Sequence, residues 1–411
     1  MTKKIIIVGG GITGCISALY AKKKGFDVEI HERYNQLGGI LNDDFGDDFF
    51  ISGCQYINIK SKWFELIEDL KIQFTSFKVK YGSYTKFKNQ KEVYTDFFPG
   101  PACELYNIPT DQLVKKNVYG TLSSRIKCYD KEVETNITHW LKKNVVDFQK
   151  LNYLSTIPLG IKRLSTNKNI KRLLKKKKEN LYVNELYGLP RKIMKYDDLY
   201  QALPTRGFTN FFLNLQKILI KVGIKVHTKS TIKIKKNENS FDIYNFNNKL
   251  NFDYVIWADT PTPVIAILEK KILDTKPLLI TNYCFEYKGK LPNFYLQVFD
   301  DKIFRLNCFS VKNNPHIVVE CFDDNLEIKK MIEDIVRLLK NFKINLIKRN
   351  IKFSSKFLKK RYLVISNNDY KIIQQFKKKK LNKFLPGCWD VYSRDEKING
   401  IIDQINKLPI K

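Results

Sequence analysis

The chain has 411 residues, 43% of them hydrophobic, and a formal charge of +31. That length and apolar content suffice for two cores, but no run approaches the roughly 20 apolar residues of a membrane span. Eight cysteines without C-x-x-C spacing point to neither a zinc site nor a disulfide framework, and so to a reducing cytoplasm.

The positive charge invites a nucleic-acid reading. It accompanies abundant Asn, Ile, Phe and Tyr, the usage of an AT-rich coding sequence, so no nucleic-acid partner is expected. In chain order, Ile5, Ile6, Ile7 and Val8 come first, a β-branched run suited to a strand buried on both faces of a parallel sheet. Gly9-Gly10-Gly11-Ile12-Thr13-Gly14 follows directly and contains G-x-G-x-x-G. Cys15, Ile16, Ala18 and Leu19 recur at helical spacing, Gly25 ends the helix, and Val28 to His31 form a second strand closed by Glu32.

Each position has a physical task in dinucleotide binding. Gly9 permits a tight turn, Gly11 lets the backbone meet a diphosphate, and Gly14 lets helix and strand pack closely. The helix start, with Ile12 and Thr13, offers N–H groups and a positive dipole end to the phosphates. Glu32, about 20 residues past Gly11, stands where an acid accepts ribose hydroxyls. With the motif starting so near the first Met, no secretory leader is expected.

Glu32-Arg33-Tyr34-Asn35-Gln36-Leu37-Gly38-Gly39 resembles the E-x(6)-G-G continuation of a flavoprotein superfamily. That superfamily includes amine oxidases, protoporphyrinogen oxidases and UDP-galactopyranose mutases. Its paired glycines pass the FAD diphosphate, so the resemblance implies FAD, with Arg33, Gly38 and Gly39 near it. A role for Arg33 as a clamp on the 2′-phosphate of NADP is the other reading. Further on, Leu203-Pro204-Thr205-Arg206-Gly207-Phe208-Thr209, a helix to Lys221, and Gly223-Ile224-Lys225-Val226 resemble the family's return to the FAD domain. Ile232 then lies where the family lends backbone groups to adenine. Asp253-Tyr254-Val255-Ile256-Trp257-Ala258 is similar to its D-x-V-I-x-A strand, and Gly387 to Glu396 to its last FAD motif, with Gly387, Asp390 and Asp395 as contacts. There are departures. Ile40 stands where amine oxidases proper carry Arg, Phe50-Ile51-Ser52-Gly53 lacks the acid of F-D-x-G, and Cys388 and Trp389 interrupt the final Gly-Asp pair.

The resemblance implies an α/β protein with a Rossmann-like FAD-binding domain on a parallel sheet, and an inserted α+β substrate domain carrying an antiparallel sheet. The expected division gives residues 1–70, 201–262 and 376–411 to FAD and residues 71–200 and 263–375 to substrate. Within the second set, Phe74, Phe77, Val79 and Tyr81 alternate as in one strand, and Val93-Tyr94 suggests another. A helix is read from Ser61, another from Ile108-Pro109-Thr110-Asp111, strands through residues 275–322, and a helix from Glu327 to Leu339.

The flavin ring would carry the redox chemistry, so no catalytic side chain is assigned. Arg125 and Arg305 are candidates for substrate contact because Arg grips carboxylate or phosphate in bidentate fashion; surface salt bridging is the alternative. His31, His139, His227 and His316 read as structural groups, and no metal ligands are assigned. The basic stretch at residues 162–178 reads as a solvated amphipathic helix or a peripheral contact with anionic lipid. Two functions follow from the resemblance: an FAD-dependent oxidoreductase taking hydride from a small-molecule substrate, or a mutase acting on a nucleotide sugar without net redox change. A non-catalytic FAD-binding protein is a third. Oligomeric state is left open.

Overall fold

The computed structural model describes residues 2–41, 56–59, 61, 63–86, 92–94, 120–129, 131–161, 200–238, 240–300, 302–311, 314–322, 325–379 and 381–410. The helix expected from residue 108 and the basic stretch 162–178 lie outside them.

Five strands form a wholly parallel sheet in the spatial order Phe384–Pro386, Tyr254–Trp257, Lys4–Val8, Asp27–His31 and Lys225–His227. Lys4–Val8 is central, and Ile5, Ile6 and Ile7 are fully buried, as a two-faced strand requires. Ile5 and Ile7 pack into one core with the first helix, Ile12–Lys23, and with the last, Arg394–Asn406; Ile6 and Val8 pack into another with Trp257 and Phe384. Tyr20 Oη donates to Asn406 Oδ1 at 2.7 Å, tying the chain's beginning to its end.

A second sheet has seven strands in the order Ile351–Val364, Lys276–Tyr287, Asn314–Cys321, Ile303–Val311, Phe294–Phe299, Lys80–Lys86 and Glu92–Tyr94. All its pairings are antiparallel except that of Phe294–Phe299 with Lys80–Lys86. One face buries Tyr283, Phe285, Leu296, Leu306 and Val319 under the amphipathic helix Ile328–Lys340. From the other face, Cys284, Tyr295, Phe309 and Val318 join the core that holds Ile5 and Ile7. This sheet therefore lies against the nucleotide-motif unit. The α/β architecture expected from the sequence, a parallel Rossmann-like sheet with an antiparallel sheet beside it, is the one observed.

Several elements differ from the sequence reading. The alternation from Phe74 to Tyr81 spans two strands, because the chain changes partners at buried Val79. Phe74–Lys78 pairs with Tyr200–Pro204, whereas Lys80–Lys86 pairs with Phe294–Phe299. The helix expected from Ser61 is α-helical only over Glu65–Glu68, with turns on either side. Within the region 275–322 expected to form strands, residues 276–287 make a single one, Lys276–Tyr287, with irregularities after Leu278 and Cys284. Ile351–Val364 was not recognised as a strand. It forms the sheet's edge, where lysines such as Lys352 and Lys356 discourage pairing with another chain. Among the described residues no helix is long and apolar enough to cross a membrane.

A knot of charge holds one side of the parallel sheet. Lys4 Nζ and Lys225 Nζ each lie 2.9 Å from Glu29 Oε1. Burial alone would raise the Glu29 carboxyl, but these two ammonium groups hold it below the usual carboxylate value. His31 stacks on His227 at 4.6 Å and contacts Ser230 Oγ through Nδ1 at 2.8 Å. Burial, with the neighbouring His227 and Lys4 against the opposing pull of Glu29, lowers His31 to about 4. The unfolded chain takes up that proton near 6.5 and the folded chain only near 4, so stability is complete above pH 6.5 and is lost as pH falls between those values. The melting temperature should therefore drop on acidification from pH 7 to pH 5, and His31→Asn should flatten the slope. Equal slopes in calorimetric scans of both proteins would show that His31 protonates in the fold without penalty.

Candidate dinucleotide-binding site

The carboxyl ends of the parallel strands run out at one edge, and each carries a segment singled out in the sequence. Val8 leads into Gly9, whose φ is +103° and whose N–H donates to His31 O at 2.9 Å. A Cβ at Gly9 would lie 3.1 Å from Asp259 N, just past the neighbouring strand Tyr254–Trp257. Gly14 is packed more tightly, because a Cβ there would sit 2.0 Å from Gly9 O. Gly11 is different. It caps the helix Ile12–Lys23 with φ −67° and ψ 174°, open to any residue, and a Cβ there meets nothing within 4 Å. Space is thus kept where the loop faces outward, beside first-turn N–H groups that have no partner within the helix.

Glu32 is 5% exposed and locked by backbone donors. Gly10 N–H donates to Oε2 at 2.7 Å and Tyr34 N–H to Oε1 at 2.9 Å. A carboxylate has about four acceptor positions, so two N–H donors fix its orientation and leave capacity for hydroxyls. The second glycine pair lies on the first loop. Gly38 N–H donates to Gly10 O at 2.9 Å, and a Cβ at Gly39 would come 3.3 Å from Gly11 Cα.

Later segments return to the same edge. Ser230 N–H donates to Glu32 O at 2.8 Å, placing Ile232, the first residue of Ile232–Lys236, close by. Gly387 N–H donates to Trp257 O, and Trp389 Nε1 donates to Asp259 O, both at 2.9 Å. Arg33 reaches Asp259 at 3.5 Å. Gly9, Gly11, Ile12, Thr13, Gly14, Glu32, Arg33, Gly38, Gly39, Ile232 and Gly387 thus converge. Two of the sequence candidates at this edge have other attachments. Asp390 is bound by Lys377 at 2.7 Å and Gln374 at 2.5 Å, and Asp395 accepts from Trp63 Nε1 at 2.6 Å. Sequence reasoning passed over Asp259 and Trp389, although both directly follow or lie within quoted motifs.

The two arginines sit elsewhere, and both are buried. Arg125 is fully buried, 5.3 Å from the centre of the Tyr153 ring. Arg305, 4% exposed, meets Glu320 at 3.2 Å, Gln297 at 3.3 Å and Pro158 O at 2.6 Å. Glu29, His31 and His227 bring three metal-binding side chains within 4.8 Å of one another. The two rings are only 18° from parallel while stacked. An imidazole lone pair lies in its ring plane, so stacked rings share no point at which one ion could sit; two ammonium groups on Glu29 oppose a cation further.

A family described as an NAD(P)-binding Rossmann-like domain matches residues 7–53. Among curated proteins, 4,4'-diaponeurosporene oxygenase of Staphylococcus aureus (strain MRSA252) is 32% identical over 108 residues, which are 26% of this chain and 20% of that protein. The chain thus aligns with about a fifth of the length of such relatives. Solved structures match throughout. A putrescine oxidase variant is 12% identical over 98% of both chains, with a TM-score of 0.64. Cyclohexylamine oxidase from Brevibacterium oxydans IH-35A is 11% identical over 99% of this chain and 100% of that one, with a TM-score of 0.61. Reduced UDP-galactopyranose mutase is 14% identical over 99% and 93%, with a TM-score of 0.64. The chain therefore has the fold that amine oxidases share with UDP-galactopyranose mutase, built on a Rossmann-like unit at residues 7–53.

Proposed function

We propose that this chain binds FAD along the carboxyl edge of its parallel sheet and is an FAD-dependent oxidoreductase acting on a small-molecule substrate. The observation that carries the reading is the contrast at the glycine loop: Gly14 has no room for a side chain, whereas Gly11 has room that nothing in the described protein uses. A diphosphate against Gly11 explains why that position is glycine. Glu32 then accepts the ribose hydroxyls, Ile232 lends its backbone to adenine, and Gly38, Gly39 and Gly387 line the path of the cofactor. When bound, FAD supplies the ring that takes hydride from substrate. The protein's part is to orient that ring against the seven-stranded sheet.

The division of labour follows the sheets. Residues 1–70, 201–262 and 376–411 carry every strand of the parallel sheet, which supports their assignment to the cofactor. Residues 71–200 and 263–375 carry the seven-stranded sheet and are assigned to substrate. A cytoplasmic setting is supported by the absence of any disulfide among the described cysteines. The mutase reading, with a nucleotide-sugar substrate, is supported by the polar lining of the seven-stranded sheet, where Gln297, Asn307 and Asn282 are all fully buried.

The purified protein should be yellow, and an amine or other reduced substrate should bleach it without oxygen. Turnover of a nucleotide sugar only after chemical reduction, with the flavin still reduced afterwards, would select the mutase. A colourless protein that stays empty when offered FAD would end both readings. A second test separates ligand from fold. Gly11→Ala should keep wild-type stability yet weaken FAD binding by roughly tenfold or more, whereas Gly14→Ala should lose about 1–3 kcal/mol of stability through overpacking. Urea titration and retained flavin absorbance read the two effects, and a Gly11→Ala protein that holds FAD as tightly as its parent would displace the diphosphate from this loop.

A further inference from the structure

The seven-stranded sheet turns two rows of side chains to the face opposite the helix Ile328–Lys340. In one row Phe357, Asn282, Glu320, Arg305, Gln297 and Ser83 lie side by side on successive strands. Its core is satisfied internally. Arg305 pairs with Glu320 and Gln297, and Gln297 Nε2 donates to Phe304 O at 2.9 Å while its Oε1 accepts from Tyr295 Oη at 2.8 Å. In the next row Ser355, Cys284, Val318, Asn307 and Tyr295 are neighbours. Cys284, Val318 and Tyr295 of that row pack into the core containing Ile5, Ile7 and Ile12, so the row faces the nucleotide-motif unit.

Asn307 is the exception within this row. It is fully buried, yet neither its Oδ1 nor its Nδ2 has a hydrogen-bond partner among the described residues. Its neighbours explain why. Val318 across one ladder and Phe309 two residues on are apolar, while Tyr295 across the other ladder gives its hydroxyl to Gln297. Asn282 is likewise fully buried with Oδ1 unpaired, and Ser355 Oγ beyond it is unpaired too. Asn282 lies two strands and one row from Asn307, about 12 Å away. Buried amides are nearly always hydrogen-bonded, and leaving one unmade destabilises the fold.

We infer that Asn307, aided by Asn282, is a binding site for the polar end of the substrate, and that this end is a neutral group presenting an adjacent N–H and C=O, as an amide or lactam does. An asparagine carboxamide offers a donor and an acceptor side by side, and that edge is its complement. Arg305 and Glu320, in the adjoining row, pair with each other, so among the described residues of these two rows no charge calls for an ion. The assignment of this face to substrate rests on the flavoenzyme reading above; the unpaired amides stand without it.

The test uses the full chain, with 2-piperidone as a cyclic amide probe and benzene as an apolar control. Millimolar 2-piperidone should raise the melting temperature of the parent protein and benzene should not. Asn307→Leu, which removes the amide at similar volume, should melt higher than the parent without probe and lose the 2-piperidone shift, and Asn282→Leu should lose part of it. No shift in the parent, or equal shifts in parent and Asn307→Leu, would overturn the site. A lower melting temperature for Asn307→Leu would overturn it as well, by showing that the amide supports the fold. Flavin absorbance of the same samples reads the other proposal separately. A colourless parent with an intact shift would sink the flavin reading alone, and flavin lost from Asn307→Leu would assign the amide to cofactor and not to substrate.

Discussion

The structure depends on one geometric constraint: a strand, a turn and a helix meet so closely at Gly9 and Gly14 that a single methyl group at Gly14 would overlap Gly9 O. Close approach there sets the angle at which the helix Ile12–Lys23 leaves the central strand, and so aims its N-terminus along the sheet edge. Because the sheet is parallel, the chain must cross over after every strand and begin the next from the same side. The carboxyl ends therefore gather at one edge. The strand order places the central strand between Asp27–His31 on one side and Tyr254–Trp257 on the other, where the winding reverses, the position at which open α/β sheets hold their ligands. Segments distant in the chain, such as Glu32, Asp259 and Gly387, meet there as a consequence of topology.

Charge is distributed along that edge with some economy. The chain is rich in lysine, and several of its carboxylates are paired with one. Glu29 takes two of them. Glu32, three residues on, takes none of the described lysines; its oxygens accept N–H groups of Gly10 and Tyr34. Backbone donors orient a carboxylate without neutralising it, so Glu32 remains an acceptor for neutral hydroxyls while the cations are held one turn of the pleat away. Asp390 shows the opposite case. Bound by Lys377 and Gln374, it ties the chain after Gly387 to the helix Asn367–Lys378 and so fixes where that segment returns.

How much of this was legible in the sequence varied with the range of the interaction. The Gly9 to Glu32 unit is local: strand period, glycines, helix and acid follow one another, and each leaves its own mark. The return strand Tyr254–Trp257 and the segment from Gly387 were legible as motifs, through resemblance to proteins of the same fold. The strand Ile351–Val364 was not, since its lysines hide the alternation that a half-buried strand displays; an edge strand has less need of it. The switch of sheets at Val79 was also invisible. Period-2 alternation records which side a residue faces and is silent on which strand it pairs with. The attachment of Asp395 to Trp63 crosses most of the chain, and no local pattern can announce a contact of that span.

The two faces of the seven-stranded sheet show how one strand can serve packing and recognition together. Alternate residues of Ile303–Val311 point to opposite sides. Leu306 and Cys308 go under the helix Ile328–Lys340 into an apolar core, while Arg305, Asn307 and Phe309 turn to the other face, where Phe309 joins the core of the nucleotide-motif unit. On that second face polarity is tolerable only when paired. Arg305 is paired, and its guanidinium on Pro158 O helps seat the segment in which Gly160 presses against the Gln297 amide. The rigidity of that network is what keeps Asn307 from finding a partner of its own. With Tyr295 drawn to Gln297 and Val318 opposite, the amide cannot satisfy itself by a small local shift. A flexible surface would have collapsed onto the amide. This one keeps it unpaired, and an unsatisfied group kept so by its neighbours is how a rigid wall comes to discriminate among what is brought against it.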